Sequence, residues 1–185
     1  MKTNENIALY VLRLAGTLLL ITAVVAAALA GVNAVTAPII EELNAAATQE
    51  AISAVLPGGF DTEITDYTDA TGIVSRIYRG ANGYAVEVGP GGFDNTITMM
   101  VGVNNEGKVL GISVVSHTET AGLGAVADAD TPKGIAFRDQ FVGQSGAVSV
   151  TKDGGTMDAI TGATITSRAI CVGVNAALDA VAGLG

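Results

Sequence analysis

Apolar and polar positions fall into three regimes along the chain. Between Leu14 and Ile40 no charged residue occurs, and the run reads LAGTLLLITAVVAAALAGVNAVTAPII. About 20 apolar residues carry a helix across a bilayer. A water-soluble helix of this composition would have no polar face. The run therefore predicts a membrane-spanning helix, with lipid contact over Leu14–Ala37. It exceeds the h-region of about 7–15 residues in a cleaved signal peptide, which predicts an uncleaved anchor. Beyond Pro38, Ile39, Leu43, Ala46, Ile52 and Val55 recur at helical spacing, and Pro57, Gly58 and Gly59 end the pattern.

The middle regime alternates. GIVSRIYRG alternates over Ile73–Arg79 and GYAVEVG over Gly83–Gly89, with PGGFDN as a loop after them. NTITMMVGV and KVLGISVVS flank Asn104-Asn105-Glu106-Gly107, the pattern of a hairpin. GIAFRDQFVG, 134–143, predicts a short helix, and GAVSVTK, 146–152, a further strand. The third regime is helical again: Ala163 to Ala182, with Ile165, Ala169, Val172, Ala176 and Val181 as the apolar face and Gly183 as the stop. The expected organisation is an N-terminal tail and single transmembrane anchor over 1–37, a connecting helix over 38–57, and one α+β domain over 58–185 with a mainly antiparallel sheet and a C-terminal helix.

Charge orients this arrangement. Lys2 and Arg13 precede the apolar run and Glu41 and Glu42 follow it. The positive-inside bias predicts a single-pass protein of the cell membrane, N-terminus in the cytoplasm and domain facing the outside or periplasm. The net charge is −9, and Lys2, Arg13 and Glu5 leave +1 in the first 40 residues, so the remainder carries −10. Such a domain repels phosphate backbones and anionic headgroups, which excludes nucleic acid as a partner and leaves the helix as the membrane contact.

One cysteine, Cys171, and one histidine, His117, limit the chemistry. An intrachain disulfide, a cysteine-ligated iron–sulfur cluster and a Cys/His zinc site are all excluded. Metal ligation is not expected. No G-x-G-x-x-G links a strand to a helix, so a nicotinamide site is not expected either. If the protein moves electrons, an organic cofactor must carry them.

The stretch DAITGATITSRAI, Asp158–Ile170, crowds hydroxyls in front of the last helix. Thr161 or Thr164 can cap the helix by accepting its first N–H groups. The same free amides and positive dipole end can instead seat a phosphate, and Gly162 and Ala163 leave it room. A threonine hydroxyl there can also be esterified by that phosphate. Pattern alone leaves these readings open.

The segment Asp158-Ala159-Ile160-Thr161-Gly162-Ala163-Thr164 resembles the flavinylation motif D-x-x-[ST]-G-A-T of FMN-binding domains, the type found in the Rnf G subunit and in NqrC. Thr166-Ser167 fits the family's continuation. SHTETAGLG, Ser116–Gly124, resembles the family's H-x-E-T-P-G-L-G loop, with Ala121 where proline is usual, a departure that bears on stiffness rather than role. The hairpin MMVGVNNEGKVLGISVVS and the N-terminal span match as well, so the resemblance covers nearly the whole chain.

The resemblance implies FMN joined covalently to Thr164 through a phosphoester, installed by a flavin transferase. It implies that Thr161, Gly162 and Ala163 shape the phosphate turn, that Thr166 and Ser167 add hydroxyl donors, and that Asp158 orients the motif or meets the transferase. Glu119, Thr120, Gly122, Leu123 and Gly124 are implied as flavin contacts. The chain would be a redox subunit with no catalytic residue of its own, relaying electrons among other membrane subunits of an ion-translocating ferredoxin:NAD oxidoreductase. A subunit of NqrC type in the Na+-pumping quinone reductase shares motif and topology. An anchored binding or assembly module without a cofactor would need only the helix cap and the sheet. His117 is expected to be structural, Cys171 a buried inert thiol, and Met99, Met100, Phe137 and Phe141 core.

Overall fold

The computed structural model describes residues 2–184. Helix α1 runs unbroken over Lys2–Val55, straight through Pro38. The connecting helix expected after Pro38 is thus the last part of the same helix. The chain forms two compact units, Met1–Ala46 and Ala47–Gly185. In the first, the large apolar side chains from Leu9 to Leu43 are all exposed. Leu9–Val55 is long and apolar enough to cross a membrane.

The second unit is built on a sheet of five antiparallel strands in sequence order: β1 Thr62–Ile64, β2 Val74–Gly80, β3 Gly83–Val88, β4 Thr98–Asn104 and β5 Val109–Ser116. The expected hairpin is β4–β5, with Met99 opposite Val114 and Val101 opposite Ile112. Its turn closes because the Asn104 side chain accepts from the N–H groups of Glu106 and Lys108, at 2.9 and 2.8 Å, and Gly107 takes φ +76°.

Both faces of the sheet are covered, so β4 is buried on each side. One face carries Ile77, Val86, Val88, Met99, Val101 and Val103 against the last helix and its approach. The other carries Tyr78, Ala85 and Met100 against Ala51, Ile52 and Val55 of α1 and Leu56. A Cβ on Gly102 would run into the Val55 carbonyl, so glycine is what lets that helix end lie on the sheet.

Helix α2 spans Pro132–Asp139, with Thr131 capping it through Gly134 N–H. It is shorter than the expected 134–143 segment and begins earlier, at the N1 proline. Phe137 and Phe141 meet edge to face at 5.5 Å in the core. The segment 146–152 is not the expected strand. It makes a single parallel bridge, Val150 to Met157, and then a 3-10 turn over Thr151–Asp153. Asn175 holds Val148 by donating to its carbonyl at 2.9 Å and accepting from its N–H at 2.7 Å, which uses the groups a strand partner would need.

Helix α3, Thr164–Ala182, is the central element of the first core. Its exposed stripe was misplaced by the periodicity. Ile165 and Val172 are half exposed, at 49% and 51%, while Ala169 and Ala176 are buried. Small residues elsewhere on the helix let most of its circumference pack. Gly173 is one of them: a Cβ there would lie 3.1 Å from Val88 and 3.2 Å from Met99 Sδ.

Candidate functional site

Four segments converge at the N-terminus of α3: the β3–β4 loop, the loop after β5, the 3-10 turn at 151–153, and the TGAT turn. Between them lies a cleft of about 290 Å³ lined by Phe93, Glu119, Thr120, Leu123, Gly124, Lys152 and Gly162–Thr166, at the small end of the range for ligand sites.

Helix α3 begins without a cap. The N-cap residue is Ala163, which has no side-chain acceptor. Thr161 and Thr164 accept from no helix N–H, so the capping reading of these threonines is not realised. Among the described residues, the N–H groups of Thr164, Ile165 and Thr166 find no acceptor outside the helix. They are the free donors of a helix start, at its positive end. Gly162, at φ +80°, turns the chain into the helix, and a Cβ on it would meet Leu123 Cδ2 at 2.9 Å.

The turn before the helix is fixed from behind. Ser167 Oγ donates to Ala163 O at 2.9 Å and accepts from Ile160 N–H at 3.0 Å. Gln140 accepts from Asp158 N–H at 2.7 Å and donates to Asp158 O at 3.2 Å. Ser167 is fully buried, so its hydroxyl serves the turn and stands off the cleft wall. Asp158 and Thr161 are exposed beside the cleft and off its lining.

Glu119 lies buried beneath the cleft. One carboxylate oxygen accepts from Phe93 N–H at 2.8 Å and Asp94 N–H at 3.3 Å, and the other accepts from the buried Thr166 hydroxyl. Its niche exists because residues 92 and 124 are glycines, where any Cβ would strike the carboxylate. Glu119 thus ties the β3–β4 loop to the first turn of α3. His117 Nδ1 accepts from Glu119 N–H at 3.1 Å and holds this loop in turn. Gly122, φ +78°, shapes the same loop without lining the cleft, whereas Thr120, Leu123 and Gly124 line it.

Two lining residues were not singled out from the sequence. Phe93, 66% exposed, stands at the mouth with Leu123 and Ile165. Its neighbours Gly91, Gly92 and Asp94 read only as a loop, and only the fold carries that loop to α3. Lys152 donates to Thr164 Oγ1 at 3.2 Å across 12 residues of sequence. Next to it Asp153 takes a two-point pair from Arg168, 2.6 Å at each oxygen, which docks the 3-10 turn on α3. The Arg168 guanidinium holds the Asp153 carboxyl below its ordinary value. Cys171 is buried in α3, and desolvation pushes its thiol up to about 11. Phe137 and Phe141 do not line the cleft.

The arrangement offers an apolar wall, Phe93, Leu123 and Ile165, beside three free amides, the Lys152 ammonium and the threonines Thr120 and Thr164. That combination suits a flat ring carrying a phosphate.

Comparison with known proteins agrees. The FMN-binding domain family matches residues 92–179, which contain every residue of the cleft lining. The chain is 34% identical over 206 residues to the G subunit of the Na+-translocating ferredoxin:NAD+ oxidoreductase complex of Acetobacterium woodii, covering 97% of both chains. It is 35% identical over 176 residues to the G subunit of the ion-translocating oxidoreductase complex of Methanosarcina acetivorans, covering 89% of this chain and 91% of that one. A proton-translocating counterpart from Clostridium ljungdahlii is 41% identical over 102 residues, 53% of this chain and 52% of that one. The residues present fit FMN: the uncapped amides of Thr164, Ile165 and Thr166 suit a phosphate, and Phe93, Leu123 and Ile165 offer an apolar wall to a ring. The apolar N-terminal helix and these relatives mark a membrane-associated protein. The chain carries an FMN-binding domain and belongs to the G-subunit family of the ion-translocating Rnf oxidoreductase complexes.

Proposed function

We propose that this chain is the flavin-bearing electron-carrier subunit of a membrane-bound ion-translocating ferredoxin:NAD oxidoreductase, with FMN joined by a phosphoester to Thr164. The observation that carries the reading is the start of α3. There an uncapped helix end presents three N–H groups beside the Thr164 hydroxyl, at the floor of a cleft with an apolar mouth. A phosphate fits such an end because free amides and helix dipole both favour an anion.

Bound FMN would supply one- and two-electron chemistry that no side chain of this protein offers. The protein's share is binding and placement. Helix α3 seats the phosphate at its first turn. Leu123 and Ile165 flank the ring position with Phe93, whose loop is held by Glu119. Glu119 and Thr166 satisfy each other, so neither leaves an unpaired polar group against the flavin. Covalent attachment suits an outward-facing domain, where lost cofactor could not be rebound from a cytoplasmic pool.

The domain organisation supports the same picture. We place the anchor in the first 37 residues, the connecting helix at 38–57 and the flavin domain at 58–185, with the N-terminus cytoplasmic. The partners are the other membrane subunits of the complex and, during maturation, a flavin transferase. Asp158, exposed and off the cleft wall, is free to meet that transferase.

Intact mass of the detergent-extracted full chain tests the attachment. Co-production with a flavin transferase should add one FMN moiety, and Thr164→Val should abolish the addition while leaving the chain folded. A wild-type chain at its bare polypeptide mass would remove this reading.

A further inference from the structure

The cleft lining contains two charged residues, and they are in opposite situations. Glu119 is buried and its oxygens are taken by two N–H groups and the Thr166 hydroxyl. Lys152 is exposed at the cleft and, among the described residues, its hydrogen bond goes to a neutral group, the Thr164 hydroxyl at 3.2 Å. This happens in a domain, 58–185, that holds seven Lys and Arg against 14 Asp and Glu, with a carboxylate at the adjoining position. That carboxylate, Asp153, is occupied by Arg168 on α3 at 2.6 Å through both oxygens. The Asp153–Arg168 pair fixes the 3-10 turn and takes up both Asp153 oxygens, so the Lys152 ammonium hydrogen-bonds the Thr164 hydroxyl and not the neighbouring carboxylate. Among the described residues Lys152 is the one cation of the cleft lining, and it bonds the oxygen beside the free amides of α3.

Resting on the flavin reading above, we infer that Lys152 is the phosphate-selecting residue of the cleft: its ammonium pairs with the flavin phosphate and makes the site choose FMN over phosphate-free flavin. A lysine serves as a mobile point charge for phosphate, and its stem lets the head follow the phosphate on or off the threonine oxygen. Amides of the helix end bind the phosphate with partial charges, whereas Lys152 supplies the full charge that neutral riboflavin cannot use. Asp153 and Arg168 act through it as positioning residues.

The test uses the full-length chain in detergent, made without a flavin transferase and titrated with FMN and with riboflavin by flavin fluorescence. The wild type should prefer FMN by about tenfold or more, a preference that shrinks with added NaCl. Lys152→Gln should cut the FMN preference several-fold, to the part that the helix amides supply, with riboflavin affinity unchanged as the control for an intact cleft, and Lys152→Arg should restore it. An FMN preference as large in Lys152→Gln as in the wild type overturns the assignment, and so does a wild type with no preference. Intact mass after co-production with the transferase separates the two levels. Flavin mass gained without a Lys152-dependent preference removes the lysine's role and leaves attachment standing. No flavin mass removes the reading on which it rests.

Discussion

Glu119 shows how a single buried side chain holds the site together. Its carboxylate satisfies Phe93 and Asp94 N–H and the Thr166 hydroxyl, three donors from two elements far apart in sequence. Glu119→Ala leaves these donors unpaired in a glycine-lined niche. The expected cost is about 1–3 kcal/mol, read as a lower urea midpoint, together with faster proteolysis of the 92–95 loop. Cys171 gives a second prediction at this scale. Burial pushes its thiol up to about 11, so iodoacetamide at about pH 8 should label the urea-unfolded chain and spare the native one. Equal labelling of both would contradict the burial. The family motif led the sequence reading to Thr164, and the TGAT spacing carried that. It did not lead to Lys152, because a lysine in TKDGG resembles any surface lysine until the 3-10 turn lays it on the helix start.

At the scale of elements, the turn at 151–153 is held to α3 by Asp153 and Arg168. Asp153 lies below its ordinary value because Arg168 hydrogen-bonds its ionised form. A carboxyl depressed in the fold stabilises above its unfolded value of about 3.9, and that stabilisation is lost as pH falls through the folded value below it. Asp153→Asn should therefore lower the urea midpoint at pH 7, and the gap to wild type should narrow progressively as pH falls below about 3.9. A gap unchanged at low pH would place the pair outside the fold's energetics. Packing of α3 on the sheet is tight at Gly173, where even a Cβ would come within 3.1–3.2 Å of Val88, Pro90 and Met99. Gly173→Val should push the helix off the sheet at about 1–3 kcal/mol, measured by denaturant melting. The periodicity of α3 misled for a related reason. Ala169, Gly173, Ala176, Ala177 and Ala180 are small enough to bury in close contact, while Ile165 and Val172 occupy the exposed stripe. Ile170, Val174, Leu178 and Val181 are buried as hydropathy ranks them, but close approach buries the small residues beside them.

At the scale of the whole molecule, one chain joins an apolar helical unit to an acidic domain. The exposed apolar surface from Leu9 to Leu43 has no place in water. The chain should stay with membranes through an alkaline carbonate wash and leave them only in detergent; release by carbonate would exclude a spanning helix. The excess negative charge of the domain keeps it off anionic headgroups, so added salt alone should not change its partition.

Local order along the chain was enough for the apolar helix, the strands at 73–79 and 83–89, the hairpin around Asn104–Gly107, the final helix and the DAITGAT motif, because each rests on periodicity, turn chemistry or adjacent residues. Tertiary structure alone decided the rest. It left the start of α3 without a cap, although hydroxyls stood ready to cap it. It replaced the strand expected at 146–152 by a 3-10 turn, because Asn175 claimed the backbone of Val148. It brought Phe93, Glu119, Lys152 and Thr164 to one cleft. Those residues meet across loops whose paths depend on long-range packing, and no spacing along the chain records that.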